Sequence, residues 1–528
     1  MQSRCACLLT HMVACLDFLP WQSAQGWVVI APRFTLDTLM EPQAPTQSES
    51  ELLQVRRDKL EGLKAKGIAP FGGKFENTHD AGALKENFVE GIPVKVGGRV
   101  LAKRAMGKAI FFDIGDFTGR IQCYANKKEI GDEAFELLAS LVDIGDWLGV
   151  TGESFVTKMG EKSILAKGIT FLSKGLRPLP DKWHGITDKE LKYRQRYLDL
   201  ISNDESRAIF ITRSKMIAEI RRYLGDKDFM EVETPMMQDV AGGAAARPFE
   251  TFHNALNMPL YLRIAPELFL KRLLVGGFTR IFELNRNFRN EGISRRHNPE
   301  FTMLEAYWAF ADFEQMADLV EGLICHLAEK FCGGLKIEHK DAEGNVTKTI
   351  DLTRPWRRAT YKDLLKSIDE KWWDYTPAER KARAKELGVE IGANFEDYEV
   401  SQHMFEKLIE EKSFNPLFVT HCPKQLVPLA KQNTEDDSVV DVYELVINGQ
   451  EISPGYSELN DPIVQRARLE EQAGEEIQKI DEEFITALEY GMPPAGGIGI
   501  GIDRLIMMLT GAESIRDVVL FPQLKRRD

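Results

Sequence analysis

The chain has 528 residues, 43% of them hydrophobic and 28% charged, which suits about three domains at ~150 residues each and cores that close without disulfides. That composition excludes disordered, collagen-like and coiled-coil classes, and the lack of any run of about 18 apolar residues excludes a membrane-spanning helix. Lys+Arg 68 against Asp+Glu 81 give a formal charge of −13, which argues against a generic nucleic-acid-coating protein while leaving room for a local basic patch. Cys5, Cys7, Cys15, Cys123, Cys325, Cys332 and Cys422 show neither CxxC nor finger spacing, and read as free thiols of a reducing cytoplasm rather than zinc ligands.

Residues 1–39 have few charges and no clear period, and read as a disordered or spurious extension with the authentic start at Met40. A poor signal peptide, Arg4 followed by an apolar stretch broken by Thr10 and His11, is the alternative. Glu41 to Ser50 is a polar, proline-containing linker. Glu51 to Lys66 has Leu52, Val55, Leu60 and Leu63 at near-helical spacing and ends at Gly67 and Pro70. The period then changes to two. IPVKVGGRVLAKR, AIFFDIG, GRIQCYA, DWLGVTGESFVT and SILAKGITFLS read as five strands, with a helix over GDEAFELLASLV between the third and fourth. That order is the order of an OB-fold barrel. Lys95, Arg99, Lys103, Arg104 and Lys108 fall between Gly91 and Phe112 without an acid, where a phosphate backbone can be neutralised, and Phe111 and Phe112 can stack unpaired bases.

Beyond the segment RPLPDKWHGITD, Ile209, Met216, Ile217, Ile220 and Leu224 line one helix face before Gly225, and Phe229 to Pro235 is extended. In RIFELNRNFRNEGISRRHNPEFTMLEAY, residues 280–307, two largely apolar strands flank a loop holding Arg286, Arg289, Arg295, Arg296 and His297. Such clustered donors suit a polyanion such as a triphosphate, and Arg289, between Phe288 and Asn290, reads as part of the strand. In ELVINGQEISPGYSE a turn at Asn448–Gly449 brings Glu444 and Glu451 near each other, a pair suited to Mg²⁺ on phosphates. The stretch AGGIGIGIDRLIMMLTG is a glycine-rich strand that permits close approach of a ligand, followed by a helix starting near Asp503 and presenting Arg504. No GxxxxGK[ST] occurs, so this is not a P-loop.

These residues resemble the class II lysyl-tRNA synthetases over roughly residues 50–528. The segment ending at Pro235 resembles the first class II motif, RNFRNEGISRRHNPEF the second and GIGIDR the third. GGAAARPF, RIAPELFLKRL, RNEGISRRHNPEFTMLE and YSELNDP, in that order, resemble the lysine-specific branch. The HIGH and KMSKS signatures of class I are absent. The resemblance implies an α+β protein: an extension and linker over 1–48, a helical segment over 49–90, an OB-fold anticodon-binding barrel over 91–176, a linker over 177–200 and a catalytic domain over 201–528 with an antiparallel sheet flanked by helices.

It also implies a cytoplasmic homodimer, without a membrane, that joins L-lysine to tRNA(Lys) through lysyl-adenylate, using ATP and Mg²⁺. Arg289 would be the catalytic cation, holding the α-phosphate and the lysine carboxylate. ATP would meet Arg289, Glu291, His297, Asn298, Phe301 and Arg504, with Phe301 and Arg504 on either side of adenine. Lysine would meet Gly243, Glu267, Arg289, Glu305, Tyr307, Tyr456 and Glu458, and Mg²⁺ would meet Glu444 and Glu451. Arg104, Phe111, Gln122 and Glu153 match the anticodon-reading positions. The family usually has Gly-Asn where this chain has Ser453-Pro454, and proline offers no donor, so carboxylate binding would rest on Arg289 or on water. Two other functions would fit a related chain: a catalytically inactive tRNA-binding protein, and a ligase that attaches a lysine derivative to a translation factor. The intact arginines and acids oppose the first, and the barrel opposes the second.

Overall fold

The computed structural model describes residues 47–179, 186, 188–341, 343–473 and 480–526. The N-terminal extension, with Cys5, Cys7, Cys15 and Met40, lies outside them, as do most of the polar linker and most of the segment between Leu179 and Asp188.

Five strands, Pro93–Met106, Ala109–Gly115, Arg120–Asn126, Trp147–Val156 and Lys162–Ser173, close into a barrel in the spatial order first, second, third, fifth, fourth. Two-residue alternation puts Val94, Val96, Ile110, Phe112, Ile114, Ile121 and Cys123 inside. Phe112 is therefore a core residue, and only Phe111 of the expected stacking pair faces outward. The helix after the third strand starts at Lys127, before the predicted Gly131, because the Asn126 side chain caps it by accepting from the Glu129 amide at 3.0 Å. Gly131 kinks this helix at φ 83°, and a single wider turn, Leu137–Leu141, finishes it.

The larger unit is built on an eight-stranded sheet. From one edge the order is Arg357–Thr360, Leu417–Thr420, Val442–Ile447, Gln450–Ser457, Ala495–Gly501, Glu300–Ala309, Arg280–Phe288 and Met230–Glu231. The interior pairs are antiparallel, and only the two outermost pairs are parallel. The helices Asp204–Gly225, Phe313–Phe331 and Ile502–Thr510 contribute Met216, Ile220, Leu323, Ile324, Leu505 and Met508 to one buried core with Leu304, Tyr443 and Ile500 of the sheet. Glycine spacing allows the close packing. A Cβ on Gly496 would lie 2.5 Å from Met316 Cγ, so the Phe313–Phe331 helix lies directly against the glycine strand. Asn448 and Gly449, at φ 59° and 69°, make the predicted two-residue hairpin turn. Among the described residues no helix is long and apolar enough to cross a membrane.

Candidate active site and nucleic-acid interface

The strands Arg280–Phe288 and Glu300–Ala309 run antiparallel with Asn287 opposite Phe301 and Glu283 opposite Glu305. The loop between them forms one wall of a cavity lined by Arg289, Glu291, His297, Asn298, Phe301, Glu451, Pro454 and Arg504. Arg289 lies just past the strand end rather than inside it, held by its amide donating to the Pro299 carbonyl at 2.9 Å. Its guanidinium sits 5.2 Å over the Phe301 ring, and its buried Nε has no hydrogen-bond partner within the described chain. A buried cationic donor without a partner is costly, so the group suits an anion brought from outside.

Arg504 is fixed by the start of its helix. Asp503 Oδ2 accepts from the Thr302 amide at 2.8 Å and Oδ1 pairs with Arg213 at 2.7 Å, which locks the first helical turn to the Glu300–Ala309 strand. Arg504 then donates to the Glu451 carbonyl at 3.0 Å and meets His297 Nε2 at 2.9 Å. Burial, together with Arg504, holds the His297 pKa below its usual value. The neutral ring can accept from Arg504 at Nε2 while Nδ1 faces Ser294 Oγ at 2.8 Å.

Next to this cavity lies a pocket of buried acids on the floor of the glycine strand. Gly497 is paired with Tyr307 on one side and Tyr456 on the other, and Gly499 with Glu305. Glu267 and Lys271 are one turn apart on the helix Glu267–Val275. Tyr456 donates to Glu267 at 2.8 Å and Tyr307 to Glu305 at 3.2 Å. Lys271 pairs with Glu267 at 2.7 Å and with Glu458 at 2.6 Å. Burial, reinforced by Glu267, raises the Glu305 carboxyl to about 8. Burial raises Glu458 to about 8 as well, with Lys271 opposing and Glu267 reinforcing. Three acids facing one lysine outnumber the cations of the cluster, and two of them are held toward the neutral form. Gly243 approaches from above at φ 85°, where a Cβ would stand 3.1 Å from Glu267 Cβ.

In the hairpin, Glu444 is paired with Pro454 and Glu451 with Val446, and a bulge lies between the two pairs. Burial and the neighbouring Glu451 charge raise Glu444 to about 8. Burial and Glu451 also raise Glu410 to about 7, and its carboxylate accepts from the Glu451 amide at 3.1 Å. Among the described residues no three His, Cys, Asp or Glu side chains are arranged to hold a metal alone. Glu451 lines the cavity and its charge acts on the neighbouring Glu444, a two-carboxylate set that fits Mg²⁺ where phosphate and water supply the other ligands.

On the barrel, a second concavity is lined by Arg104, Met106, Phe111, Gln122, Tyr124, Phe155 and Met159. Phe111 and Tyr124 have ring centroids 4.8 Å apart, and Tyr124 and Phe155 5.9 Å apart, so three rings form a strip on which bases can stack. The basic patch is smaller than its sequence suggests. Lys103 donates to the carbonyls of Leu138 and Val142, and Arg99 to that of Gly145, whereas Lys95, Arg104 and Lys108 are exposed.

Residues 188–525 match the family model for tRNA synthetases class II (D, K and N), and residues 94–172 match the OB-fold nucleic acid binding domain. The chain is 51% identical to the lysine–tRNA ligase of Carboxydothermus hydrogenoformans over 495 residues, 91% of this chain and 99% of that one. It is 50% identical to that of Pelotomaculum thermopropionicum over 93% of this chain and 98% of that one, and 47% identical to that of Bacillus subtilis over 90% and 98%. The chain belongs to the class II tRNA synthetases, in the lysine–tRNA ligase family.

The lysine–tRNA ligase resemblance names residues that the fold gathers in two places. Arg289, Glu291, His297, Asn298, Phe301, Glu451 and Arg504 line the arginine-rich cavity. Glu267, Glu305, Tyr307, Tyr456 and Glu458 interact within the acid pocket. On the barrel, Arg104, Phe111 and Gln122 share the concavity, but Glu153 is not among its lining residues and pairs with Lys167 at 2.5 Å. Asn298 is buried and spans the Glu300 carbonyl and the Gln523 amide. Sequence reasoning missed Lys271, Glu410, Tyr124 and Phe155. Strand alternation was a signal for Tyr124, two residues from Gln122, and for Phe155, two residues from Glu153, whereas Lys271 and Glu410 had none.

Proposed function

We infer that this enzyme activates L-lysine with ATP and transfers the lysyl group to tRNA(Lys). The observation that carries the reading is the junction of two unlike environments: an arginine-lined cavity with an unpartnered Arg289 Nε, beside a pocket of buried carboxyls short of cations. The triphosphate fits the first and the two ammonium groups of lysine fit the second. A lysine carboxylate oxygen attacks the α-phosphorus, the bond to the bridging oxygen breaks, and pyrophosphate leaves. A hydroxyl of the terminal tRNA adenosine then attacks the acyl carbon and AMP leaves. No protein nucleophile is needed. Arg289 stabilises the charge on the α-phosphate and orients the attacking carboxylate. Phe301 and Arg504 flank adenine, with Asn298 at its edge and Glu291 and His297 along the nucleotide. Glu444 and Glu451 would hold Mg²⁺, which supplies charge neutralisation on the phosphates. Ser453 has no exposure and Pro454 offers no donor, so the lysine carboxylate depends on Arg289.

The acid pocket sets the choice of amino acid: buried carboxyls reject a side chain lacking an ammonium far more strongly than an apolar slot rejects a missing methylene. We further propose the domain limits given above, a cytoplasmic setting and a homodimer built on the Asp204–Gly225 helix. Leu520 and Phe521, 44% and 73% exposed beside Phe210 and Ile217 of that helix, support the dimer. The test is ATP–pyrophosphate exchange run across all amino acids. Exchange with lysine is expected. Exchange with aspartate or asparagine instead, or with none, overturns the reading.

The barrel is proposed to read the anticodon through Phe111, Gln122 and Arg104. Stacking contributes about 1–3 kcal/mol per base. Phe111→Ala combined with Gln122→Ala should therefore weaken aminoacylation of tRNA by at least about tenfold while pyrophosphate exchange, which needs no tRNA, persists. Equal losses in both assays would mean the barrel is not a separate reader.

A further inference from the structure

We propose that Lys271 is a positioning residue that sets the charge of the amino-acid pocket, so that it is completed by a substrate carrying two ammonium groups. The inference rests on the assignment of Glu267 and Glu458 to the substrate ammoniums. Lys271 has no exposure and stands between these two acids, 2.7 Å from one and 2.6 Å from the other, with the Tyr456 ring centroid 5.7 Å away. The two acids come from distant parts of the chain, a helix and the end of a sheet strand. A single fixed ammonium therefore ties together the two ends of the substrate seat.

The charges facing this seat can be named from each element packed against it. Glu267 and Lys271 come from the helix, Glu305 and Tyr307 from the Glu300–Ala309 strand, and Tyr456 and Glu458 from the opposite strand and its end. Arg263 and Arg289 act on Glu305 from outside the group, and Arg263 is already paired with Glu283 at 2.6 Å. Once substrate is bound and all three carboxyls are ionised, with both tyrosines neutral, Lys271 alone matches one of the three negative charges and leaves two for the substrate. Lysine brings two ammoniums, and its carboxylate goes to Arg289. Neither Glu458 oxygen nor Lys271 Nζ has a hydrogen-bond partner of good geometry among the described residues; Oε2 is tied by the ion pair with Lys271 at 2.6 Å, and Oε1 has no ion pair there. One oxygen is thus held by the protein and the other is left for the substrate.

Burial works against the Lys271 ammonium, but Glu267 and Glu458 outweigh it and keep it charged. Without that charge the acids would repel each other, and Glu458 would stay protonated to a higher pH than in the unaltered enzyme. A protonated acid cannot pair with an ammonium, so the lysine KM would rise and recover only as pH rises.

The experiment measures lysine and ATP KM in pyrophosphate exchange from pH 6.5 to 8.5 for the unaltered enzyme, Lys271→Met, Lys271→Arg and Glu458→Gln. For Lys271→Met we expect a lysine KM raised at least about 30-fold at pH 7 with the ATP KM within about threefold. The logarithm of lysine KM should flatten near pH 8 in the unaltered enzyme and keep falling to pH 8.5 in Lys271→Met. Lys271→Arg restores the charge and should restore the flattening. Glu458→Gln should raise the lysine KM at every pH. If it does not, the assignment of Glu458 to the substrate fails. If it does, but Lys271→Met keeps the unaltered pH profile and loses only thermal stability, Lys271 is merely structural and the proposal fails alone. Should Lys271→Met not fold, calorimetry of lysine binding to the unaltered enzyme in buffers of different ionisation enthalpy decides. Proton release at pH 7 supports the charge count, and no release overturns it.

Discussion

In a folded Arg289→Ala protein, lysine-dependent pyrophosphate exchange should fall by about 10²–10³-fold, the loss of about 3–4 kcal/mol that follows removal of one preorganised donor to a developing anion. The effect should appear mainly in kcat, because the arginine meets the reacting carboxylate and α-phosphate together. Two features place this residue at the high end of that range. Its Nε has no hydrogen-bond partner among the described residues, which leaves that donor for the substrate. Pro454 supplies no donor to share the carboxylate, and the buried Ser453 hydroxyl donates to the Pro454 carbonyl at 3.3 Å. Near-normal exchange in a folded variant would end the assignment, and circular dichroism with thermal melting would establish that it is folded.

Glu458→Gln should raise the lysine KM at least about 100-fold while moving the ATP KM by less than about fivefold, since breaking one partner of a buried ionic pair costs about 3–5 kcal/mol. Glutamine keeps the size and hydrogen-bonding capacity of the acid, so the change isolates its charge. A competing role for Glu458, that it only orients the strand bearing Glu451, predicts comparable losses for ATP and Mg²⁺. Measuring both constants in one variant separates the two. An unchanged lysine KM would move recognition of the ammonium to Glu305, the other acid raised to about 8.

The barrel was legible strand by strand because its alternation reflects a closed sheet with one face buried. The same alternation decided between Phe111 and Phe112, which simple proximity could not. The cations of its first strand were misleading in part: Lys103 and Arg99 satisfy carbonyls in the turn after the helix, and sequence proximity does not show where a long side chain ends. The end of the helix Asp204–Gly225 shows a similar limit. Gly225 is its last residue, but the left-handed step is taken at Asp228, φ 64°. The residues lining the arginine-rich cavity lie within a few short segments, around 289–301, at 451–454 and at 504, and could be read from local composition. Lys271 could not. In LFLKRLL it looks like one of two adjacent surface cations, and only the fold shows that Arg272 reaches Asp481 and Glu483 while Lys271 turns inward to Glu458. Glu410, in a run of acids, was hidden for the same reason.

The glycine strand has a consequence for how such an enzyme can change over generations. A Cβ on Gly497 would fall 1.9 Å from Glu458 Oε1 and 2.8 Å from Tyr307 Cε1. Addition of one methyl group would therefore push the acid out of its place without altering any group that contacts ATP. On the role proposed for Glu458, the seat for the substrate depends on the hydrogen atom at position 497 as well as on the carboxylate.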